Sequence, residues 1–324
     1  MIGRLAPAAL SMAIVLSAAP VFAQGTSPEW DAAVAAYKQE RFRQAISNFQ
    51  IVAEAHPDFA ETYFFVGLSH FRLKEYGKSI VALTKYIDLS EKSPAKKADP
   101  GARAALGRAY LFTDNPQKAV TALTIATQQI VDDPVNFYYL GVAHQKLKQP
   151  DKAIEAYDRA LKLNPKDTFT LDAVTRLLLA KAVQSGAAAD YQAAIARGEQ
   201  LRLVRDDVAT AALLGSAYLN SGEYAKAAVH LGKAASADGA NAATWFNYGL
   251  ALSRSDQFAK AEPALVKSVE MDATNADAFA ELGYVQESLK KYPEAQSAYE
   301  KANALRPSAQ LQESIDRCKS VTGG

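Results

Sequence analysis

The stretch from residue 149 to residue 165, QPDKAIEAYDRALKLNP, has a counterpart 34 residues earlier, NPQKAVTALTIATQQIV at 115–131. An alanine occupies the same place in both stretches, as Ala153 and Ala119. In the later stretch, Ala153, Tyr157 and Ala160 follow one another at steps of four and three residues, which places them on one face of a helix. An amphipathic helix that recurs at a fixed interval predicts an array of similar units.

The period runs through most of the chain and is marked by a glycine that follows a large apolar residue. These glycines are Gly67, Gly107, Gly141, Gly215, Gly249 and Gly283, at intervals of 40, 34, 74, 34 and 34 residues. The interval of 74 contains one degenerate repeat, near Val174 and Thr175. Twelve residues after five of the glycines stands an alanine, and Ser79 follows Gly67 in the same way. Small residues at both positions predict two closely packed helices joined by a short turn.

The repeat resembles the tetratricopeptide repeat family. The residues that carry this resemblance are Phe137, Leu140, Gly141, Ala153, Tyr157, Ala160 and Pro165. It implies an all-α fold, a right-handed superhelical α-solenoid of about eight helix-turn-helix repeats in residues 24–307, followed by a capping helix and tail at 308–324. The repeats are expected near 27–58, 59–92, 100–133, 134–167, 168–207, 208–241, 242–275 and 276–309.

Polar residues that precede the first helix of a repeat indicate where these helices begin. They are Asp99, Asp133, Asp167, Asp207, Asn241 and Asn275. We expect their side chains to accept hydrogen bonds from the free amides of the first helical turn. Pro57, Pro165 and Pro307 are expected to close second helices, because a proline restricts the residue before it.

Two intervals are 40 residues long instead of 34, namely Gly67 to Gly107 and Asp167 to Asp207. Six residues were therefore added at two places in the array. The first addition lies in SEKSPAKKADP, residues 90–100, where a solvated loop is predicted. The second lies near residues 180–191 and is predicted to lengthen a first helix by almost two turns. The fifth repeat is also the weakest match, with Thr175 where glycine is usual and Gly198 where a large residue is usual.

The first residues have the order of a secretory signal peptide, with Arg4 followed by an apolar run to Leu16 and a cleavage site after Ala23. The expectation is therefore a signal peptide at residues 1–23 and an exported, periplasmic protein with no membrane span after cleavage. Retention of this segment as an anchor is the alternative. The chain has 36 basic and 35 acidic residues, so no nucleic-acid partner is expected.

The sequence nominates no catalytic, cofactor or metal site. The GKS of residues 77–79 lacks the glycine that a phosphate-binding loop needs at Arg72. The four histidines are far apart in sequence, and the single cysteine, Cys318, has no partner for a disulfide within the chain. Acidic pairs such as Asp132-Asp133 are interpreted as helix-start charges. We therefore expect a protein that is not an enzyme.

The resemblance implies that the first helices line a concave groove that binds protein or peptide partners. Carried over by register, the groove residues are Phe64, Leu68, Phe71, Arg108, Leu111, Tyr138, Gln145, Phe246, Leu250 and Tyr284. Some of them could instead be partly buried between neighbouring repeats. Positions that grip a C-terminal carboxylate in some family members hold Ala212, Ser216, Asn247, Asp277 and Glu281, and the two acids argue against that use.

These features predict an exported, non-enzymatic scaffold that binds a peptide or helical segment in its concave groove. The alternative is a structural subunit of a cell-envelope assembly for secretion or polysaccharide export, a membrane-associated complex that would use the lateral surfaces. A hydrolase or ligand-binding protein is a third possibility, and it requires a pocket with convergent buried polar groups.

Overall fold

The computed structural model describes residues 27–92, 98–237 and 239–323. These residues form seventeen α-helices and no strand. The helices are α1 (Pro28–Lys38), α2 (Phe42–Ala55), α3 (Ala60–Arg72), α4 (Tyr76–Glu91), α5 (Pro100–Phe112), α6 (Pro116–Gln129), α7 (Pro134–Lys146), α8 (Pro150–Leu163), α9 (Thr168–Ser185), α10 (Ala188–Val204), α11 (Val208–Ser221), α12 (Tyr224–Ala235), α13 (Ala242–Arg254), α14 (Phe258–Met271), α15 (Ala276–Ser288), α16 (Tyr292–Leu305) and α17 (Ala309–Thr322). The predicted signal peptide lies outside the described residues.

The helices α1 to α16 form eight hairpins, each made of an odd-numbered first helix and an even-numbered second helix. Six of the second helices pack on the first helix of the next hairpin, namely α2, α4, α6, α10, α12 and α14. The chain divides into two compact units, Met1–Thr170 and Leu171–Gly324, and the division falls in the first turn of α9. Within each unit the hairpins stack in chain order, so the predicted all-α solenoid is confirmed.

The repeating glycines lie where the two helices of a hairpin touch. A Cβ atom added to Gly141 would lie 2.6 Å from the ring of Tyr157, which is fully buried. Gly283 faces Tyr299 in the same way, at 2.7 Å. The four other marker glycines each face a leucine of the second helix. The two helices of a hairpin are therefore closely packed at these glycines, as the small residues predict.

The helix boundaries follow the predicted polar and proline signals. The side chains of all six predicted caps accept a hydrogen bond from a backbone amide of the following helix. The second helices α2, α8 and α16 end two residues before Pro57, Pro165 and Pro307. The caps thus mark the start of six hairpins, and the prolines mark the end of three.

Each of the eight hairpin turns in the described chain has one residue in the left-handed backbone region. These residues are Glu40, Lys74, Asp114, Lys148, Gly186, Gly222, Asp256 and Lys290, with φ between 55° and 84°. Only two of the eight are glycines, although glycine adopts this conformation at least cost. Most of the turns are therefore held in this conformation by the packing of the two helices.

The second six-residue addition lengthens both helices of the fifth hairpin. α9 has 18 residues and α10 has 17, whereas the neighbouring α7 and α8 have 13 and 14. The sequence predicted growth of the first helix alone; extending both keeps the hairpin closed. Residues 183–189 at its tip are exposed. Gly198 of α10 allows a close contact with the next hairpin, because its Cβ would lie 2.7 Å from Leu214 of α11.

The first addition is partly helical. α4 continues to Glu91, so the start of the predicted 90–100 loop belongs to a helix, and residues 93–97 lie outside the described part of the chain. At the other end of the chain, α17 packs on α16 and buries Ile315 and Cys318 beside Tyr299. Arg317 of α17 donates two hydrogen bonds to Glu287, at 2.6 and 3.0 Å.

Candidate protein-binding surface

Four of the ten predicted groove residues are buried in the structure, namely Phe64, Leu68, Arg108 and Leu111. Phe64 is 2% exposed because its ring packs against Phe65 and Tyr86. A partner lying in a groove would not contact these four side chains, so the expectation that they line an open surface is wrong. The register that placed them on first helices is correct, but it does not distinguish a side chain that faces an open groove from one that is buried against neighbouring helices.

The other six predicted residues reach the surface. Phe71, Tyr138, Phe246 and Leu250 are half-buried, and Gln145 and Tyr284 are exposed. Three lie in the first unit and three in the second. The hydroxyl of Tyr157 donates to the amide oxygen of Gln145 at 2.9 Å, and the ring of Tyr138 packs on the ring of Tyr157. The surface residues of α7 are thus positioned by the buried tyrosine of α8.

Arg108 occupies the seam between α5 and α7. Its Nη2 donates to Oδ1 of Asn136 at 2.6 Å and lies 3.7 Å from Oδ2 of Asp133. Its guanidinium carbon lies 5.1 Å from the ring centroid of Tyr139. Burial lowers the pKa of Arg108, and the Asp133 charge opposes that shift. The contacts of Arg108 therefore join two neighbouring hairpins, which explains why it is absent from the groove.

A small apolar cleft opens at the beginning of α7. It has a volume of about 180 Å³ and is lined by Pro134, Val135, Tyr138, Tyr139, Asn164, Asp167 and Phe169. Phe169, in the first turn of α9, is 43% exposed. Asp167 caps α9 by accepting from the amide and hydroxyl of Thr170, so its carboxylate is already bonded on that side. The cleft thus offers aromatic and proline surface with few polar groups.

Phe169 is not among the residues that the repeat pattern predicts for this surface. The equivalent residues of the other first helices after α1 are Glu61, Gly101, Val135, Ala209, Ala243 and Asp277. None of these equivalent residues is aromatic. The aromatic side chain of Phe169 at this position is the sequence feature that indicates the cleft. Phe169 could not be predicted from the repeat, because the equivalent residues of the other first helices have no residue type in common.

In the second unit, Tyr284 of α15 and Phe258 of α14 bring two aromatic rings together near the surface. The ring of Tyr284 is 43% exposed and meets the ring of Phe258 edge to face at 5.9 Å. Arg254 lies 6.0 Å from the Tyr284 ring centroid and donates to Glu281 at 3.0 Å. Glu281 also accepts from Ser253 at 2.5 Å. Phe246 and Leu250 lie on α13, the same helix as Arg254.

The positions that could grip a carboxylate hold no cation in this chain. Glu281 is engaged by Ser253 and Arg254, and Asp277 pairs with Arg306. Both acidic side chains are thus occupied in joining helices. This arrangement agrees with the interpretation that Asp277 and Glu281 do not serve a carboxylate ligand.

The histidines have structural contacts. Nδ1 of His70 lies 2.8 Å from Oε2 of Glu75, and Nδ1 of His144 lies 2.8 Å from Oε1 of Gln149. Each contact joins a first helix to the residue that precedes its second helix. In the described residues, no three His, Cys, Asp or Glu side chains are grouped so that they could hold a metal ion.

No helix in the described part of the chain has the length and apolarity to cross a membrane.

Family comparisons agree with this architecture. A model described as tetratricopeptide repeat matches residues 137–167, and a second model of the same description matches residues 31–94 and 246–309. The chain belongs to the tetratricopeptide repeat family. These repeats mark the protein as a scaffold for protein–protein interactions, and tetratricopeptide repeat proteins are in general not enzymes.

Solved structures show the same fold. The C-terminal part of a TPR repeat-containing protein from Cytophaga hutchinsonii is 19% identical, with a TM-score of 0.56, over 78% of this chain and 99% of that one. A tetratricopeptide repeat protein from Parabacteroides merdae is 14% identical, with a TM-score of 0.50, over 80% of this chain and 98% of that one. No curated protein matches this tetratricopeptide repeat protein.

Proposed function

We propose that this tetratricopeptide repeat protein binds an extended or helical segment of a protein partner on the surface formed by its first helices. The observation that carries the proposal is the presence of exposed and half-buried aromatic side chains on these helices, such as Tyr284 and Tyr138. Aromatic side chains give a large contact area at a small entropy cost and dominate the energetics of protein interfaces.

The proposal includes export to the periplasm, with cleavage of the signal peptide after Ala23. It is supported by the charged start and apolar run of residues 1–23. N-terminal sequencing of the protein isolated from the periplasm and from the cytoplasm tests it. A chain that begins at Gln24 in the periplasmic fraction is the expected result, and a chain that keeps residues 1–23 in the cytoplasm would contradict it.

A second candidate function is a structural subunit of an envelope assembly that uses the lateral surfaces. Apolar side chains exposed on second helices favour it. Val81 of α4 and Val229 of α12 are 71% and 72% exposed, and Leu203 of α10 is exposed as well. Exposed apolar side chains can anchor a partner when they are grouped, but are also common singly on protein surfaces.

Photo-crosslinking in cells distinguishes the two functions. A photoreactive phenylalanine analogue is placed singly at Tyr138, Phe246 and Tyr284 on first helices, and at Val81 and Val229 on second helices. The proposal expects a common crosslinked partner from the first-helix positions and none from the two valines. Crosslinks from Val81 and Val229 alone would instead support the lateral assembly. The valines are matched controls because they are at least as exposed as the aromatic residues.

A further inference from the structure

The cleft at the beginning of α7 has features that specify the chemistry of a partner side chain. It lies within the first unit, between α7, the turn that follows α8, and the start of α9. Its aromatic lining consists of Tyr138, Tyr139 and Phe169. We propose that this cleft holds one aromatic side chain of the partner segment, and that a basic residue follows this side chain in the partner. The inference rests on the proposed function and names the kind of segment bound.

The size and lining of the cleft favour an aromatic side chain. A volume of about 180 Å³ fits one ring, since an apolar cavity of about 150 Å³ binds benzene. Rings that meet edge to face or offset attract each other beyond the burial of their area. Burial raises the pKa of Tyr139, so its phenol stays neutral and adds no charge to the wall.

The charges beside the cleft favour a basic neighbour. The two segments that border it, residues 132–135 and 164–169, contain Asp132, Asp133 and Asp167 against one cation, Lys166. Arg108 lies 3.7 Å from Asp133 and offsets part of its charge, so the acidic character of the rim comes from Asp132 and Asp167 against Lys166. Asp132 is exposed. A cationic residue next to the inserted ring would therefore meet an acidic rim, and an acidic residue would be repelled.

The test uses three dipeptide amides as probes, titrated into the full chain and followed by NMR. They are acetyl-Phe-Lys-amide, acetyl-Phe-Glu-amide and acetyl-Ala-Lys-amide. We expect saturable binding of the Phe-Lys probe, binding of the Phe-Glu probe that is weaker by about threefold, and no saturable binding of the Ala-Lys probe. The preference for lysine over glutamate should shrink in about 0.5 M salt, because salt screens charges at the surface.

Variants assign the binding to the cleft. Phe169→Ala and Tyr138→Ala should weaken the Phe-Lys probe by about fivefold or more, whereas Tyr284→Ala, in the second unit, should leave it unchanged. Asp132→Asn should reduce the lysine preference; Asp132 is not a helix cap, and the exchange conserves size. Phe169→Leu is the conservative variant, because it keeps an apolar side chain at this position. A urea midpoint equal to that of the natural protein shows that a variant is folded, so that a loss of binding is not a loss of folding.

Two results would overturn the inference. One is equal binding of the Phe-Lys and Ala-Lys probes, and the other is binding that is unaffected by Phe169→Ala in a folded variant. Either result leaves the proposed function intact if Tyr138, Phe246 and Tyr284 still crosslink to a partner. The loss of those crosslinks, by contrast, would contradict the proposed function itself.

Discussion

At the scale of single residues, the distance between the helices of a hairpin is set by glycines that face large side chains. Tyr157 and Tyr299 are buried against Gly141 and Gly283, where there is no room for another carbon atom. Burial also raises the pKa of both tyrosines, most strongly at Tyr157. Packing at these points decides whether the hairpin closes.

Replacing Gly283 by alanine should lower the free energy of unfolding by about 1–3 kcal/mol, because the added Cβ would lie 2.7 Å from the ring of Tyr299. Urea denaturation measures this change. Gly77→Ala is the matched control, since no atom lies within 4 Å of its Cβ position, and its stability should stay the same or rise slightly. Equal effects of the two variants would contradict the close-contact interpretation.

His230 makes stability depend on pH. Its ring stacks on Tyr218 at 5.5 Å, and its Nε2 lies 3.7 Å from Oε1 of Glu199. Burial lowers the pKa of His230, while Glu199 and Asp206 oppose this shift and Arg202 and Lys233 add to it. The unfolded chain therefore binds the proton more tightly than the folded protein does.

The stabilising contribution of neutral His230 should be fully present above its unfolded pKa of about 6.5 and be lost as the pH falls below that value. Urea midpoints measured between about pH 5 and pH 8 should fall with decreasing pH in the natural protein. In His230→Gln this decrease should be smaller. An identical pH dependence in both proteins would show that other groups cause it.

The sequence was most informative about residues that repeat and least informative about residues that differ. The marker glycines and the six caps could be predicted, because each is required by local geometry at every copy. Burial of Phe64, Leu68, Arg108 and Leu111 could not, because it depends on the side chains that neighbouring helices present. Phe169 was missed for the opposite reason, since it is an exception at a position where the repeat has no rule.

At the scale of elements, the hairpin turn imposes a left-handed residue whatever its side chain. Lys148, with a φ of 55°, and Gly222, with a φ of 84°, occupy equivalent turns in α7–α8 and α11–α12. An L-residue in this region costs about 1–2 kcal/mol relative to its normal conformation. Glycine avoids that cost but makes the unfolded chain more flexible.

Exchanging these two residue types should therefore change stability in opposite directions. Gly222→Ala should lower the free energy of unfolding by about 1 kcal/mol, and Lys148→Gly should raise it by about 0.5 kcal/mol. Thermal and urea denaturation check both signs. A loss of stability in Lys148→Gly would mean that the lysine side chain contributes more than its backbone conformation costs.

At the scale of the whole molecule, each hairpin within a unit is stabilised by the next, and the last hairpin by α17. Removal of residues 309–324 would expose the face of α16 that carries Tyr299 and delete the pair between Arg317 and Glu287. In a stack with nearest-neighbour coupling, the loss should concentrate at the end that lost its neighbour. We expect faster amide hydrogen exchange in α15 and α16 and unchanged exchange in α1 to α6.

Arg317→Gln serves as the milder control for this truncation. It removes the charge pair with Glu287 but keeps the apolar contacts of Ile315 and Cys318, so its effect on exchange should be smaller. If the truncated chain lost protection equally in α1 to α6, coupling would extend over the whole array. The nearest-neighbour description would then be wrong for this protein.

The contact of Arg108 between α5 and α7 also limits which hairpins could be deleted or reordered in this chain. Its guanidinium donates to Asn136 of the adjacent hairpin, a residue that the repeat pattern does not require at that position. If residues 134–167 were excised, the next hairpin would offer Thr170 at the place of Asn136, and the buried cation would lose its amide acceptor. Hairpins with the same backbone fold are thus not interchangeable, because the side chains between two hairpins fit only particular neighbours.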